Sequence, residues 1–371
     1  MNILLRDFGN NNLDKLVRPY MRLFHRSWPT FQVCGYTGLA LAILLSMTLV
    51  IYQHLSPFIM LCIILAAVLT FFAQTIITKI ITGEEDLVYY RHEIAVITVA
   101  AVLLWLLHQP LLPYLDATLL GVGIFLACGR VGCLMVGCCH GRPYHWGVCY
   151  REEHTAIGFP SYYVGVRFFP IQALESLWVF SIVLVGTFFV LSSHPAGTAL
   201  AWYIVTYDMG RFCFEFVRGD RERPYLWGFS EAQWASLLLM CVIALAEVFG
   251  VLVLYPWHIA ATACLICTMI IVALDRRFRR TVSHQLLHPH HIQEVAEAVE
   301  LVTQAASEMS LNSGQEAGIH VACTSLGIQI SASRMSNETG FIHHYALSRL
   351  DGGLNEKTAC ILTRLIQIGR A

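Results

Sequence analysis

The chain has 371 residues, 56% of them hydrophobic and only 13% charged, with a formal net charge of -1. Soluble domains carry about 25% charged residues. A mean hydropathy of +0.59 excludes a soluble globular protein and indicates one built into a bilayer, with no nucleic-acid partner expected.

Residues 1–31 are polar and basic, carrying Arg6, Lys15, Arg18, Arg22 and Arg26. They hold no apolar core segment or small-residue cleavage site, so no cleavable signal peptide is read there. Two readings stand for this leader, an amphipathic segment on the bilayer surface or a frayed basic tail. Apolar runs follow at 33–52, 55–80, 94–107, 115–139, 170–191, 196–217, 232–254 and 257–274. Most reach the ~20 residues that span a bilayer. The third is short unless 87–90 begins its helix, which would put Arg91 and His92 inside it. The cysteines are no disulfide framework, because Cys34, Cys62, Cys241, Cys264 and Cys267 sit inside lipid-length runs.

The loop cations fall on one side of these runs. The even-numbered connections carry Arg91, then Arg142, Arg151 and Arg167, then Arg218, Arg221 and Arg223. Arg276, Arg277, Arg279 and Arg280 follow the last run on the leader's side. Eight crossings would make that side cytoplasmic by the positive-inside rule. After 286 the composition is that of a small soluble domain. Ile292, Val295, Val299 and Val302 mark a helix over 289–309. Strand-like alternation at 319–333 and 341–348 surrounds a turn at 336–340, and 354–368 reads as a second helix, capped by Asn355 or by the Gly352-Gly353 turn. The expected fold is an all-α polytopic membrane protein of about seven or eight transmembrane helices with a small C-terminal α+β soluble domain. The divisions are a leader over 1–31, a transmembrane domain over 32–280 and the tail over 281–371.

The most informative stretch is Gly129-Arg-Val-Gly-Cys-Leu-Met-Val-Gly-Cys-Cys-His-Gly-Arg-Pro143. Arg130 is the one charge from 117 to 139, and an arginine at membrane depth costs about 2.5–3.5 kcal/mol even on lenient scales. It needs a partner, a wet cavity or a function. The glycines weaken a continuous helix there, so a broken helix walling an internal polar site is expected. The plainer alternative is a packing helix whose Arg130 snorkels. In the sixth run Tyr207, Arg211, Glu215 and Arg218 share a helix face, and Gln172 and Glu175 do so at the start of the fifth. Asp208 and Glu215 either neutralise Arg211 within their own helix or face a polar cavity with it.

These motifs resemble those of the prolipoprotein diacylglyceryl transferase family. Gly129-Arg130-Val131-Gly132 is similar to its Gly-Arg-x-Gly, and Gly141-Arg142-Pro143 to its Gly-(Arg/Lys)-Pro. Residues 169–175 resemble its His/Phe-Pro-x-Gln-x-x-Glu, residues 207–218 its Tyr-Gly-x-x-Arg-Phe-x-x-Glu-Phe-x-Arg with Asp208 in place of glycine, and 230–234 its Leu-Ser-x-x-Gln segment. The resemblance implies transfer of diacylglyceryl from phosphatidylglycerol to a cysteine thiol of a lipoprotein precursor or another thiol acceptor, in a bacterial cytoplasmic (inner) membrane. It implies Arg130 and Arg211 as the phosphate clamp, His92 as the base and Tyr36 as a further catalytic residue. Gly129, Gly132, Gly141, Arg142, Gln172, Glu175, Tyr207, Glu215 and Arg218 would bind substrate. No cofactor is expected. A non-enzymatic protein that binds anionic lipid and docks partners through its tail, or a lipid transferase with another acceptor, are the competing readings.

The chain departs from the family signature at Cys133, Leu134, Val136 and Cys138, where amides and a carboxylate are usual. Cys133, Cys138, Cys139 and His140, with His145 and Cys149, are a candidate soft-metal set. Their spacing matches no standard zinc pattern, so small packing residues and no metal are the preferred reading.

Overall fold

The computed structural model describes residues 3–23, 25–83, 88–160, 163–219, 225–279, 286, 289–311, 320–337, 340–350, 354, 359–363 and 366. Arg221, Arg223, Arg280, Asn355, the Gly352-Gly353 turn, and parts of the 336–340 turn and the last helix lie outside them. Helix α1 (Ile3–Leu16) and the hairpin β1 (Tyr20–Leu23)–β2 (Arg26–Pro29) lead into α2 (Thr30–Tyr52), α3 (Pro57–Thr82), α4 (Tyr89–Leu106) and α5 (Leu111–Val136). A head segment with β3 (Pro143–Cys149) and β4 (Arg167–Phe168) precedes α6 (Ile171–Leu191) and α7 (Thr198–Glu215). Then come β5 (Tyr225–Leu226), β6 (Phe229–Ser230), α8 (Glu231–Val248) and α9 (Pro256–Arg279).

Seven of the described helices, α2–α6, α8 and α9, are long and apolar enough to cross a membrane. Helix α7 carries three charges, Asp208, Arg211 and Glu215, and packs among α5, α6, α8 and α9. Contacts at known heights fix the direction of each helix. Gly38 of α2 lies against Cys128 of α5, Ser176 Oγ of α6 donates to Ala127 O (2.8 Å), and Trp178 Nε1 donates to Thr206 O of α7 (3.2 Å). Thr75 of α3 meets His92 of α4, Gln233 of α8 donates to Phe212 O, and Glu247 of α8 meets His258 of α9. Direction therefore alternates from α2 to α9. The C-terminal ends of α3, α5, α7 and α9 and the N-terminal ends of α2, α4, α6 and α8 form one face of the bundle.

Helix α5 is the central element. The Asp116 carboxylate in its second turn accepts the Gly197 and Leu200 N–H groups, both at 2.7 Å, and so caps the start of α7. The third apolar run does begin early, at Tyr89, and takes Arg91 and His92 into α4. The expected break within α5 does not occur at Gly129 or Gly132. The helix runs through both and ends at Gly137, whose φ of 89° lies in the left-handed region. Close packing on α2 at Gly132 makes up for the weak propensity there.

The leader is a docked helix rather than a frayed tail. Asn10 Oδ1 accepts from Gly147 N–H (3.0 Å), and Asp14 accepts from Cys149 N–H (2.9 Å) and binds both Arg167 Nη groups at 2.9 and 2.8 Å. Val17 enters an aromatic core with Tyr150, Phe159, Tyr163 and Phe168. The cations drew attention to the surface, but polar and apolar residues between them dock α1 onto the head. The tail holds α10 (Pro289–Leu311) against an antiparallel sheet of β7 (Val321–Cys323), β8 (Ile328–Asn337) and β9 (Gly340–Arg349). A turn closed by Gly327 N–H to Thr324 O (2.9 Å), with φ 71° at Gly327, divides the single strand expected over 319–333.

Candidate active site

The motifs meet where the chain leaves α5, enters α6 and leaves α7. Gly141 bridges Arg218 in antiparallel fashion. Arg142 N–H donates to Val217 O, Gly219 N–H to His140 O and Phe169 N–H to Arg142 O, each at 3.0 Å. Only glycine fits position 141, because a Cβ there would lie 2.4 Å from Phe169 O. Three loops distant in sequence are thus tied into one knot by backbone bonds, beneath which the charged side chains collect.

Arg130 and Arg211 are 5% and 4% exposed. Arg130 Nε is 3.0 Å from Glu175 Oε2, and Arg211 forms an ion pair with Glu215 one turn on. Neither contact is aligned as a hydrogen bond: Arg130 Nε and Arg211 Nη1 and Nη2 are buried donors without a directed acceptor. The Tyr207 hydroxyl donates to the other oxygen of Glu175 at 3.4 Å, and its ring lies within electrostatic reach of both arginines. Gln172 Nε2 donates to Cys138 O (2.9 Å) and holds the loop after α5. Arg218 is buried and Arg142 half-buried, with Arg142 Nε 3.4 Å from Arg218 O. So Arg130, Gly141, Arg142, Gln172, Glu175, Tyr207, Arg211, Glu215 and Arg218 belong to one neighbourhood. Gly129 has open space where a Cβ would stand, whereas Gly132 serves the contact with Phe31 and Cys34 of α2.

Tyr36 and His92 lie elsewhere. Both line an apolar cavity of about 380 Å³ between α2, α3, α4 and α5, whose lining includes neither Arg130 nor Arg211. Tyr36 is 64% exposed. His92 is buried, with Nδ1 at 3.0 Å from Val88 O, Nε2 at 3.4 Å from Thr75 Oγ1 and its ring on Phe71. The residue that links this cavity to the arginines is one that sequence reasoning missed, Glu93. It is buried, lines the cavity, and lies within electrostatic reach of Tyr89, Tyr203, Tyr207 and Asp208. Those tyrosines form a chain, with Tyr89 and Tyr203 hydroxyls 3.0 Å apart and the Tyr203 and Tyr207 rings stacked at 5.7 Å. A glutamate next to His92 at the start of a lipid-length run was the available signal. Asp208, read from the sequence as a neighbour of Arg211 that replaces the family's glycine, faces Glu93 and Ser236 as well as Arg211.

The thiols form a second neighbourhood beside Arg130. Cys133, Cys138 and Cys139 have sulfurs within 4.8 Å of one another. Hydrogen bonds from Cys133 and Cys138, with the Arg218 and Arg130 guanidiniums, hold the Cys139 thiol well below its ordinary pKa, against the opposing effect of burial. His140 packs its ring on Phe168 with Nδ1 2.8 Å from Gly141 O, and the Cys149 thiol faces the Tyr150 carbonyl while its backbone N–H donates to Asp14. His145 lies against Tyr144.

Comparison with known proteins gives a family profile, prolipoprotein diacylglyceryl transferase, that matches residues 37–249. The chain is similar to phosphatidylglycerol–prolipoprotein diacylglyceryl transferase 2 of Clostridium perfringens, with 28% identity over 130 residues covering 34% of this chain and 47% of that protein. It is 32% identical to the transferase of Dehalococcoides mccartyi over 130 residues, 34% of this chain and 47% of that one. The Clostridium tetani transferase is 28% identical over 133 residues, 35% and 51% of the two chains. The chain spans about half the length of the curated relatives it matches. The profile covers more than half of the chain and runs from α2 to the end of α8, taking in all three motifs that the loop knot brings together. This is an integral membrane protein that belongs to the prolipoprotein diacylglyceryl transferase family.

Proposed function

We propose that this protein transfers the diacylglyceryl group of phosphatidylglycerol to a cysteine thiol of a lipoprotein precursor, in a bacterial cytoplasmic membrane. The observation that carries the reading is the pair of buried arginines with donors left undirected. A buried donor without an acceptor costs about 1–3 kcal/mol, so the site as it stands is complementary to an anion that would accept those bonds. A phosphodiester supplies planar-fork acceptors for both guanidiniums. The acceptor sulfur attacks the glyceryl carbon that bears the phosphate, the carbon–oxygen bond breaks, and its electron pair departs with glycerol phosphate. Arg130 and Arg211 stabilise the charge that builds on that oxygen, in a site where burial strengthens the effect. Glu175 and Glu215 set their orientation, and Tyr207 and Gln172 steady Glu175 and the Cys138 loop. The apolar cavity bounded by Tyr36 and His92 suits an acyl chain. The names of the relatives agree with both substrates.

The test is incubation of purified protein with labelled phosphatidylglycerol and a peptide bearing one lipobox cysteine. A thioether product and one glycerol phosphate per peptide are expected, with none from the serine peptide. Absence of product with folded protein would refute the assignment.

A further inference from the structure

The transfer chemistry above leaves the three-thiol cluster unused. Its geometry is built by the backbone. Cys133 is buried on the last turns of α5, Gly137 ends the helix in the left-handed region, and Cys139 repeats that conformation with φ 55°. A non-glycine residue with positive φ is uncommon, and two reversals within three residues fold Cys138 and Cys139 back over Cys133. The fold holds them there. Gln172 anchors the Cys138 carbonyl, Gly219 N–H the His140 carbonyl and the Tyr150 hydroxyl the Leu134 carbonyl at 3.1 Å. All three cysteines are free thiols. Their sulfurs, within 4.8 Å of one another, need only a small closing movement to reach the separation of about 3.8 Å that Zn–S bonds of about 2.3 Å impose in a tetrahedron.

We propose that Cys133, Cys138 and Cys139 form a three-thiolate site for Zn(II), and that its open fourth position receives the acceptor thiol. An all-sulfur donor set selects a soft cation over magnesium or calcium. A divalent ion leaves the three thiolates with one net negative charge where a monovalent ion would leave two, beside the Arg130 and Arg218 guanidiniums. Both guanidiniums act electrostatically on Cys139. Three protein ligands with the fourth position open is the arrangement of catalytic rather than structural zinc. The exposure of Cys138 leaves that position reachable from the motif face.

The second half of the proposal rests on diacylglyceryl transfer. The acceptor thiol displaces water at the fourth position and loses its proton to solvent. Its thiolate sulfur, still nucleophilic, attacks the glyceryl carbon as the carbon–oxygen bond to phosphate breaks. Glycerol phosphate leaves beside Arg130, and the thioether, a poor ligand, departs. Such a site performs the deprotonation for which His92, engaged by Val88 and Thr75, is poorly placed.

The test uses the full chain purified in detergent under reducing conditions. Elemental analysis and cobalt(II) titration of metal-free protein are expected to give about one equivalent, with sulfur-to-cobalt charge-transfer bands reversed by zinc. Cys139→Ser and Cys133→Ser, checked for native elution and helix content, should lose these bands, whereas Cys149→Ser should keep them. A lipobox cysteine peptide should shift the tetrahedral cobalt bands, and its serine counterpart should not. Folded wild-type protein that binds neither zinc nor cobalt would overturn the metal site. Bands indifferent to the cysteine peptide would overturn the acceptor role. Equal transfer by zinc-loaded and metal-free protein would overturn it too while leaving the transferase reading intact; a peptide-shifted band without any transfer would support thiol binding and refute that reading instead.

Discussion

Arg130 Nε lies 3.0 Å from Glu175 Oε2, joining the last turns of α5 to the first turns of α6 where both side chains are almost wholly buried. Removing one partner of such a pair leaves an uncompensated buried charge, at a cost of about 3–5 kcal/mol. Glu175→Gln is therefore expected to lower thermal stability and also to reduce transfer by freeing Arg130 to rotate. Arg130→Lys and Arg211→Lys should remain folded yet fail, because an ammonium cannot reproduce a planar fork. Melting curves in detergent and initial rates separate the two outcomes; a fully active lysine variant would remove the phosphate clamp.

Gly141 tests the loop knot apart from any charge. Alanine there places a methyl group 2.4 Å from a backbone oxygen, which no side-chain rotation relieves. A loss of about 1–3 kcal/mol is expected, typical of overpacking, together with lost activity. Gly129→Ala, where the Cβ meets open space, should leave stability unchanged.

The docked leader gives a third prediction. Asp14 binds Arg167 through both carboxylate oxygens and also accepts the Cys149 N–H. Asp14→Ala should destabilise the head by about 1.5–3 kcal/mol, the range for hydrogen bonds to charged groups. Limited proteolysis between 143 and 168 reports it. A variant as resistant as wild type would return the leader to the role of a surface-bound segment.

Much of this site is legible in the amino-acid sequence. Intramembrane arginine is costly enough to single out Arg130 and Arg211, and helical spacing puts Glu175 on one face with Gln172 and Glu215 on one face with Arg211. What the sequence hides is of two kinds. The docking of α1 depends on contacts between positions such as Asp14 and Arg167, which no local pattern joins. The meeting of three sulfurs depends on two left-handed residues, and one of them is Cys139, whose identity gives no hint of positive φ. Glu93 is concealed because a carboxylate at the start of a helix reads as an ordinary solvated end, whereas here the side of the first turns that carries His92 and Glu93 is buried.

In metal-free protein, Cys139 should stand apart from the other thiols by its reactivity. Its pKa is depressed by hydrogen bonds from Cys133 and Cys138 and by the Arg218 and Arg130 guanidiniums. A depressed thiol is already thiolate at a pH where free cysteine, with a pKa of about 8.5, is almost all protonated. Iodoacetamide at mildly acidic pH is expected to modify Cys139 first, as read by peptide mass mapping. Cys133→Ala removes the largest of these influences and should move the reactivity profile toward higher pH. A profile that matches that of free cysteine would contradict the thiolate assignment.

The alternation of α2 to α9 makes a prediction about sidedness. Ends of helices four steps apart lie on the same face, so the loop after α5 and the chain leaving α9 emerge together. Ala296 of α10 packs on the head core that also holds Val17, which brings the tail to that face. The tail and the motifs thus stand at one face of the bundle. The loop cations alone would make the shared face cytoplasmic. Several of them are held by the site: Arg91 pairs with Glu231 at 2.8 Å, Arg167 with Asp14, and Arg142 and Arg218 lie in the motif knot. A lipoprotein precursor presents its cysteine outside, and the proposed transfer needs the face there. Glu153→Cys and Ser325→Cys, each introduced singly into a cysteine-free background, are expected to react with an impermeant maleimide added to intact cells. Labelling at only one of the two would refute the alternating bundle. Protection of both until the cells are lysed would keep the bundle and turn the search toward a cytoplasmic thiol acceptor.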